Sequence, residues 1–300
     1  MRRASMTSNE KVTLKDYYDQ PEEERLTWQA RLANKLRIKN DLIRGSVAEF
    51  FATFILMLYV QGTVASMIFA GKKNDLLMIA IGQGLAVTYA LYVGGGVSGA
   101  YLNPAVNVAF ALLGKLKWVQ AVFFSVAQYL AAFTASMLIY AMFYEAQNTF
   151  DSGVRVPTGP NGTAGIYTTF PGDHRSVGGA FFHETFCTAL LLIGVLAMSD
   201  SRNWKPAPGL FPFSVGFLIT LINLAFSWGE SLAMNPARDL GPRLFVLIAG
   251  WGPEVFSIWD YNFFWIPIVG SHLGAIIGAI LYSIFIEFHH PPEPKHQHKH

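Results

Sequence analysis

The tripeptide Asn-Pro-Ala occurs twice in this 300-residue chain, as Asn103-Pro104-Ala105 and as Asn235-Pro236-Ala237. Asn caps a helix through its side-chain oxygen, Pro suits the first helical position, and Ala lets the first turn pack closely. Because the cap fixes the Asn side chain, we expect its NH₂ group to donate a hydrogen bond to a passing oxygen atom. Two such donors orient a neutral solute without covalent chemistry, so the motifs favour a transport protein over an enzyme.

Each motif opens an apolar stretch that is too short to cross a membrane, at residues 104–113 and 236–248. At 1.5 Å per residue, about ten helical residues reach roughly 15 Å, half the hydrocarbon thickness of a bilayer. A helix N-terminus carries roughly half a positive charge. Two half-helices that meet at the midplane therefore repel cations and protons, while neutral hydrogen-bonding solutes pass.

The composition and the longer apolar stretches predict a membrane protein. Only 14% of the residues are charged, against about 25% in soluble domains. Six stretches are long enough to span a bilayer, which needs roughly 20 apolar residues. They cover approximately residues 45–70, 76–95, 118–144, 177–198, 208–228 and 262–286.

The two halves of the chain share one order of elements: two spans, a half-helix and a third span. The motif asparagines lie 132 residues apart (235 minus 103), and the intramembrane acids Glu49 and Glu184 lie 135 apart (184 minus 49). An odd number of spans per repeat gives the repeats opposite orientations. We therefore predict an all-α membrane protein with six transmembrane helices and two re-entrant half-helices in an inverted repeat. The channel domain covers 45–287, with repeats at about 45–144 and 177–287.

Positive charges near the ends of the spans set the orientation. Ten Lys and Arg residues lie in the polar segment 1–44, and the loop after the fourth span adds Arg202 and Lys205. We therefore expect this segment and the His-rich tail 288–300 to be cytoplasmic, in a protein of the plasma membrane. The opposite side receives a long loop with the sequon that begins at Asn161, a candidate glycosylation site.

Four charged side chains within or beside the apolar stretches need partners, because an unpaired charge in a membrane is unfavourable. We expect Glu49 and Glu184 to accept hydrogen bonds from backbone N–H groups and to brace the loops before the motifs; a proton relay is the alternative. Arg238 lies in the first turn of the second half-helix, where its guanidinium can project into a pore mouth. Asp239 follows it, where the helix dipole favours a negative charge.

The sequence gives little support to other classes of partner. The Lys and Arg residues are scattered and the net charge is only +2, which disfavours nucleic acid. The single cysteine, Cys187, excludes an intrachain disulfide. We interpret the His-rich tail as a solvated segment rather than a metal site, and we predict neither a metal nor a cofactor.

Two long motifs resemble the aquaporin family (major intrinsic proteins). They are residues 96–106, Gly-Val-Ser-Gly-Ala-Tyr-Leu-Asn-Pro-Ala-Val, and residues 234–243, Met-Asn-Pro-Ala-Arg-Asp-Leu-Gly-Pro-Arg. Asp239 and the long loop between the third and fourth spans resemble the aquaglyceroporin branch, and the resemblance covers residues 42–287. It implies a homotetramer with one pore per subunit, which moves glycerol and similar uncharged solutes passively with water; urea is a further candidate solute.

The family narrows its pore at four positions, of which Arg238 matches by motif. Counting back from the motif asparagines places the other three at Gln83, Asn223 and Leu232. Many glycerol channels have an aromatic residue, a glycine and a second aromatic residue there. The two amides depart from this pattern, and an amide does not replace an apolar ring without changing what the site prefers.

The sequence is also compatible with three other functions. The first is a water-selective pore of the same fold. The second is an ion-coupled secondary transporter, because such proteins also use inverted repeats and half-helices. The third is a structural membrane protein with a closed pore.

Overall fold

A computed structural model of the protein describes residues 27–72, 75–228 and 231–291. Residues 1–26 of the predicted leader and residues 292–300 of the predicted tail lie outside them. The chain divides into two compact units, 1–41 and 42–300. The described residues form the helices α1 (Trp28–Leu36), α2 (Asp41–Phe69), α3 (Leu76–Gly94), α4 (Pro104–Leu112), α5 (Trp118–Met142), α6 (Tyr144–Asp151), α7 (Val177–Ser199), α8 (Phe211–Phe226), α9 (Pro236–Val246) and α10 (Ile266–Phe285).

Within the described residues, five helices are long and apolar enough to cross a membrane: α2, α3, α5, α7 and α10. The predicted fifth span, 208–228, is too long, because α8 has only 16 residues. Residues 208–210 form a turn instead, in a segment where Pro206 and Pro208 cannot donate helical hydrogen bonds. Sixteen residues rise about 24 Å, slightly less than the hydrocarbon thickness.

Other helix boundaries also differ from the sequence-based expectation. The sixth span begins at Ile266 rather than at residue 262, because residues 262–265 still form turns after the left-handed backbones of Trp259, Asp260 and Tyr261. Helix α9 ends two residues early, at Val246, before an irregular turn in which Gly250 has a φ of 116°. The short helices α1 and α6 were not predicted.

The two repeats pack in the same way around a glycine pair where α3 crosses α8. A Cβ atom on Gly84 would lie 2.6 Å from the Gly216 carbonyl oxygen, and one on Gly216 would lie 2.6 Å from that of Gly84. Thr88 donates to the Gly84 carbonyl and Thr220 to the Gly216 carbonyl, each at 3.0 Å. The two glycines lie 132 residues apart (216 minus 84), so the duplication extends from the motifs to the helix packing.

We expect Gly84→Ala to destabilise the folded protein, because the new methyl group would meet the Gly216 carbonyl and the Thr220 hydroxyl. Overpacking of this kind costs about 1–3 kcal/mol, more than the helix propensity that alanine adds. Thermal unfolding in detergent measures the effect. The control is Gly96→Ala, where a Cβ atom has nothing within 4 Å; equal melting temperatures for the two variants would contradict the prediction.

Candidate functional site

The two Asn-Pro-Ala motifs are joined by a reciprocal pair of hydrogen bonds. Asn103 and Asn235 cap α4 and α9, and each side-chain oxygen accepts a backbone N–H of its own first turn. The Asn103 amide donates to the Met234 carbonyl at 2.7 Å, and the Asn235 amide donates to the Leu102 carbonyl at 2.8 Å. The prediction that each NH₂ group donates to a passing oxygen atom therefore concerns only one of its two N–H bonds. Each uses one N–H in the opposite repeat and keeps one for the pore.

The carbonyl groups that accept these bonds belong to residues with unusual backbones. Leu102 and Met234 have φ values of 60° and 49°, in the left-handed region that larger side chains rarely adopt. Such a backbone costs of the order of 1 kcal/mol or more and persists only where its surroundings hold it. The residues that hold it are found on the neighbouring helices.

Glu49 of α2 holds the first loop. Its carboxylate accepts the backbone N–H groups of Tyr101 and Leu102, both at 2.9 Å, and the hydroxyl of Ser98 at 2.6 Å. Gln128 of α5 donates a fourth hydrogen bond at 2.8 Å. These four donors saturate the buried carboxylate, so the loop conformation and the charge stabilise each other.

Glu184 of α7 has the same role in the second repeat. It accepts the N–H groups of Ala233 at 3.2 Å and Met234 at 2.6 Å, and the hydroxyl of Ser271 at 2.7 Å. Both loops therefore present carbonyl oxygens inward while their N–H groups bond to a buried acid. The second loop adopts this arrangement although it contains few glycines, so a run of glycines is not required for it.

Two cavities meet beside the motifs and outline a path through the protein. The inner cavity has a volume of about 270 Å³ and the outer one about 870 Å³, and both are lined by Gln83 and Arg238. The inner cavity reaches Ser199 at the end of α7, and the outer one reaches the loop between α6 and α7. Gln83 and Arg238 thus mark the junction of the two cavities.

The inner cavity has one apolar wall and one polar wall. Its polar wall includes Asn103, Asn235 and Arg238, together with the loop residues before each motif. Most of its apolar lining comes from helices α2, α3, α7 and α8. Its side chains are Leu56, Val60, Val87, Leu91, Leu191, Val195, Val215 and Ile219.

The two predicted amides at the narrow region differ in their hydrogen bonding. Asn223 lines the outer cavity with Leu232, but its NH₂ donates to the Ile219 carbonyl at 2.9 Å and its oxygen accepts the Ser227 hydroxyl at 3.1 Å. Among the described residues, no side chain or backbone group bonds to the Gln83 amide. Only Gln83 therefore offers a complete amide to a solute.

Arg238 is held by the long loop between α6 and α7. It is buried, and its guanidinium donates to the Tyr167 carbonyl at 3.0 Å. The Tyr167 hydroxyl donates to Gln147 at 2.9 Å, and burial raises the pKa of this hydroxyl above its ordinary value. The side chain therefore stays a neutral donor, and the loop that fixes Arg238 is itself anchored.

Asp239 faces away from the path and ties the same loop to α9. It accepts hydrogen bonds from Thr168 and Thr169 and forms a two-point ion pair with Arg243, at 2.9 Å for each contact. Arg243 also donates to the carbonyls of Thr169 and Val255, both at 2.6 Å. Sequence reasoning missed Arg243 and the threonines. The four-residue spacing of Asp239 and Arg243 on one helix was the available signal.

The predicted glycosylation site lies in this loop. Asn161 is exposed, but Thr163 of the same sequon is fully buried. The Thr163 hydroxyl accepts the indole N–H of Trp251 at 3.1 Å and contacts Asp151 at 3.3 Å. The asparagine alone is therefore accessible in the folded protein.

We expect Arg243→Met to destabilise the protein by about 3–5 kcal/mol, because it leaves Asp239 buried without its counter-charge. The double variant Asp239→Asn with Arg243→Met removes both charges and should recover part of this loss. Thermal unfolding of the purified protein in detergent measures both changes. Equal stability of the single and double variants would show that the charge pair is not the cause.

Comparison with known proteins identifies the family. The model of the major intrinsic protein family matches residues 37–282. Aquaporin-2 of Milnesium tardigradum is 50% identical over 264 residues, which cover 88% of this chain and 82% of the relative. Aquaporin-10 of Homo sapiens is 41% identical over 268 residues, which cover 88% of this chain and 89% of the relative. The X-ray structure of the aquaglyceroporin from Plasmodium falciparum aligns with a TM-score of 0.73 at 30% identity, over 82% of this chain and 97% of that one. The prediction of the family and of its fold is confirmed: the chain belongs to the major intrinsic proteins, the family of the aquaporins.

Proposed function

We propose that the protein is a passive channel for glycerol and other small uncharged solutes, together with water. The observation that carries the proposal is the amphipathic inner cavity, which is lined both by apolar side chains and by the motif asparagines and Arg238. A polyol presents carbon on one side and hydroxyl groups on the other, so it matches both walls. The similarity to an aquaglyceroporin of known structure supports the same solute class.

Exclusion of ions and protons follows from the charges around the path. The N-termini of α4 and α9 meet at the two motifs, and each carries a partial positive charge. Arg238 adds a full charge where the cavities join. A cation would lose its hydration in this region without gaining a negative partner, whereas a neutral hydroxyl group gains hydrogen bonds.

Water selectivity is the second candidate, and Gln83 is the observation that favours it. An unbonded amide beside Arg238 gives the narrow region hydrogen-bonding groups that suit water, and urea equally well. The apolar side chains of the inner cavity argue against strict water selectivity, because they offer no hydrogen bond to a row of water molecules. The permeability ratio of glycerol to water separates the two candidates.

The remaining features of the proposal concern assembly and placement. We propose a channel domain over residues 45–287 in a homotetramer of the plasma membrane, with 1–44 and 288–300 in the cytoplasm. The positive charges of the leader and of the loop after α7 support this orientation. It puts Asn161 outside the cell as a glycosylation site.

Stopped-flow light scattering of proteoliposomes tests the solute class directly. Vesicles are shrunk by sucrose, which reports water flow, and then by glycerol, whose entry lets them swell again. Re-swelling above the protein-free rate supports the proposal. Fast shrinkage with no glycerol-driven re-swelling identifies a water-selective pore, and a flux that needs a proton or sodium gradient identifies a coupled transporter.

We expect Gln83→Phe to raise the glycerol-to-water permeability ratio by about fivefold, because a ring replaces a hydrogen-bonding group worth roughly 1 kcal/mol. Water loses a partner, whereas the carbon chain of glycerol gains an apolar wall. The matched control is Ile79→Phe, one turn away on α3 in the wider outer cavity. An equal change in both variants would attribute the effect to bulk rather than to the narrow region.

We expect Arg238→Ala to weaken the exclusion of charged solutes, because it removes the full positive charge between the cavities. Proton and cation leak into proteoliposomes, followed with a pH-sensitive dye, measures the change. Arg238→Lys keeps the charge but loses the planar fork, so it should keep most of the exclusion. Unchanged leak in the alanine variant would contradict this role of Arg238.

A further inference from the structure

Helix α1 carries an exposed apolar stripe along one face. Trp28, Leu32 and Leu36 follow one another at intervals of four residues and are 68%, 46% and 70% exposed. Side chains four residues apart lie on the same side of a helix. No residue of α1 is buried, so the described part of the chain leaves this stripe uncovered.

Basic side chains border the stripe and continue beyond it. Arg31 and Lys35, also four residues apart, lie next to the stripe on one side, and Arg37 and Lys39 follow the helix. Residues 27–40 contain no Asp or Glu, so the segment has a charge of +4. An apolar face flanked by Lys and Arg is typical of helices that lie in a membrane surface, where the long side chains reach the headgroups.

The chain keeps α1 close to the membrane that α2 crosses. Helix α2 has 29 residues and rises about 43 Å, more than the hydrocarbon thickness, so its first turn reaches the headgroup region. Only residues 37–40 separate the two helices, and four extended residues reach at most about 14 Å. The link is therefore short enough for the stripe to reach the surface of the same membrane.

We propose that α1 is an interfacial helix that binds anionic lipid headgroups of the membrane in which the channel resides. Trp28, Leu32 and Leu36 enter the boundary between headgroups and acyl chains, and the basic residues Lys35, Arg37 and Lys39 contact the anionic lipids. The positive charge selects an anionic leaflet over a neutral one, since basic segments next to a span bind such lipids electrostatically. This inference is independent of the solute that the channel conducts.

A fluorescent label on the full-length protein tests the proposal. A polarity-sensitive dye is attached to Leu32→Cys within the stripe or to Asn34→Cys roughly opposite, each combined with Cys187→Ala. The proteins are placed in bilayer discs of neutral phosphatidylcholine, with or without phosphatidylserine, and a quencher is attached to the acyl chains. We expect quenching at position 32 at least threefold above that at position 34, in discs with phosphatidylserine, and a clear loss of this difference in 0.5 M salt.

Three outcomes overturn the proposal. Equal quenching at both positions shows that the stripe does not enter the membrane. An apolar environment at position 32 without quenching shows that protein covers the stripe. Equal quenching with and without phosphatidylserine shows that the helix does not select anionic lipids. Lys35→Glu should abolish the dependence on phosphatidylserine, while unchanged water permeability in the same variant shows that the channel itself is folded.

Discussion

The reciprocal hydrogen bonds between Asn103, Asn235 and the carbonyls of the opposite loop are the contact on which the channel depends. Two helix N-termini that end inside a membrane leave backbone groups that no lipid can satisfy. Each motif caps its own N–H groups with its asparagine oxygen, and the NH₂ group of that asparagine then donates to a carbonyl of the opposite loop. The solution requires that the Leu102 and Met234 carbonyls turn inward, and therefore that both residues adopt left-handed backbones. Glu49 and Glu184 stabilise those backbones by accepting the N–H groups of the same loops.

A second set of contacts fixes the positions of the residues at the outer mouth of the pore. Arg238 follows Asn235 by one helical turn, and the Tyr167 carbonyl fixes its guanidinium. The loop that supplies this carbonyl is tied to α9 by the buried pair of Asp239 and Arg243. The acid next to Arg238 in sequence thus acts on it indirectly, through the loop. The geometry of the mouth is therefore set by α9 and the loop together.

The sequence predicted the architecture because its signals are local and repeated. The apolar stretches, the cap-and-proline motifs and the 132-residue spacing are each visible without tertiary information. The predicted starts of two helices were wrong. Prolines precede α8, and turns that follow left-handed residues precede α10, so both helices begin later than their apolar stretches do. Gln128, Ser271 and Arg243 were missed as supports of the loops, because ordinary polar side chains in helices reveal their partners only when the helices are packed.

The two ends of the pore differ in polarity, although the two repeats share the same arrangement of helices. Adding the repeat of 132 residues takes Gln83 to Val215, and subtracting it takes Asn223 to Leu91. The two amides line the outer cavity, whereas Val215 and Leu91 line the inner one. The duplicated helices thus present polar groups at the outer end and apolar groups at the corresponding inner positions. Of the two amides, Asn223 is largely satisfied within its own helix. We therefore propose that the choice among neutral solutes rests mainly on Gln83, the position where the chain departs most clearly from an aromatic filter, and not on the shared motifs.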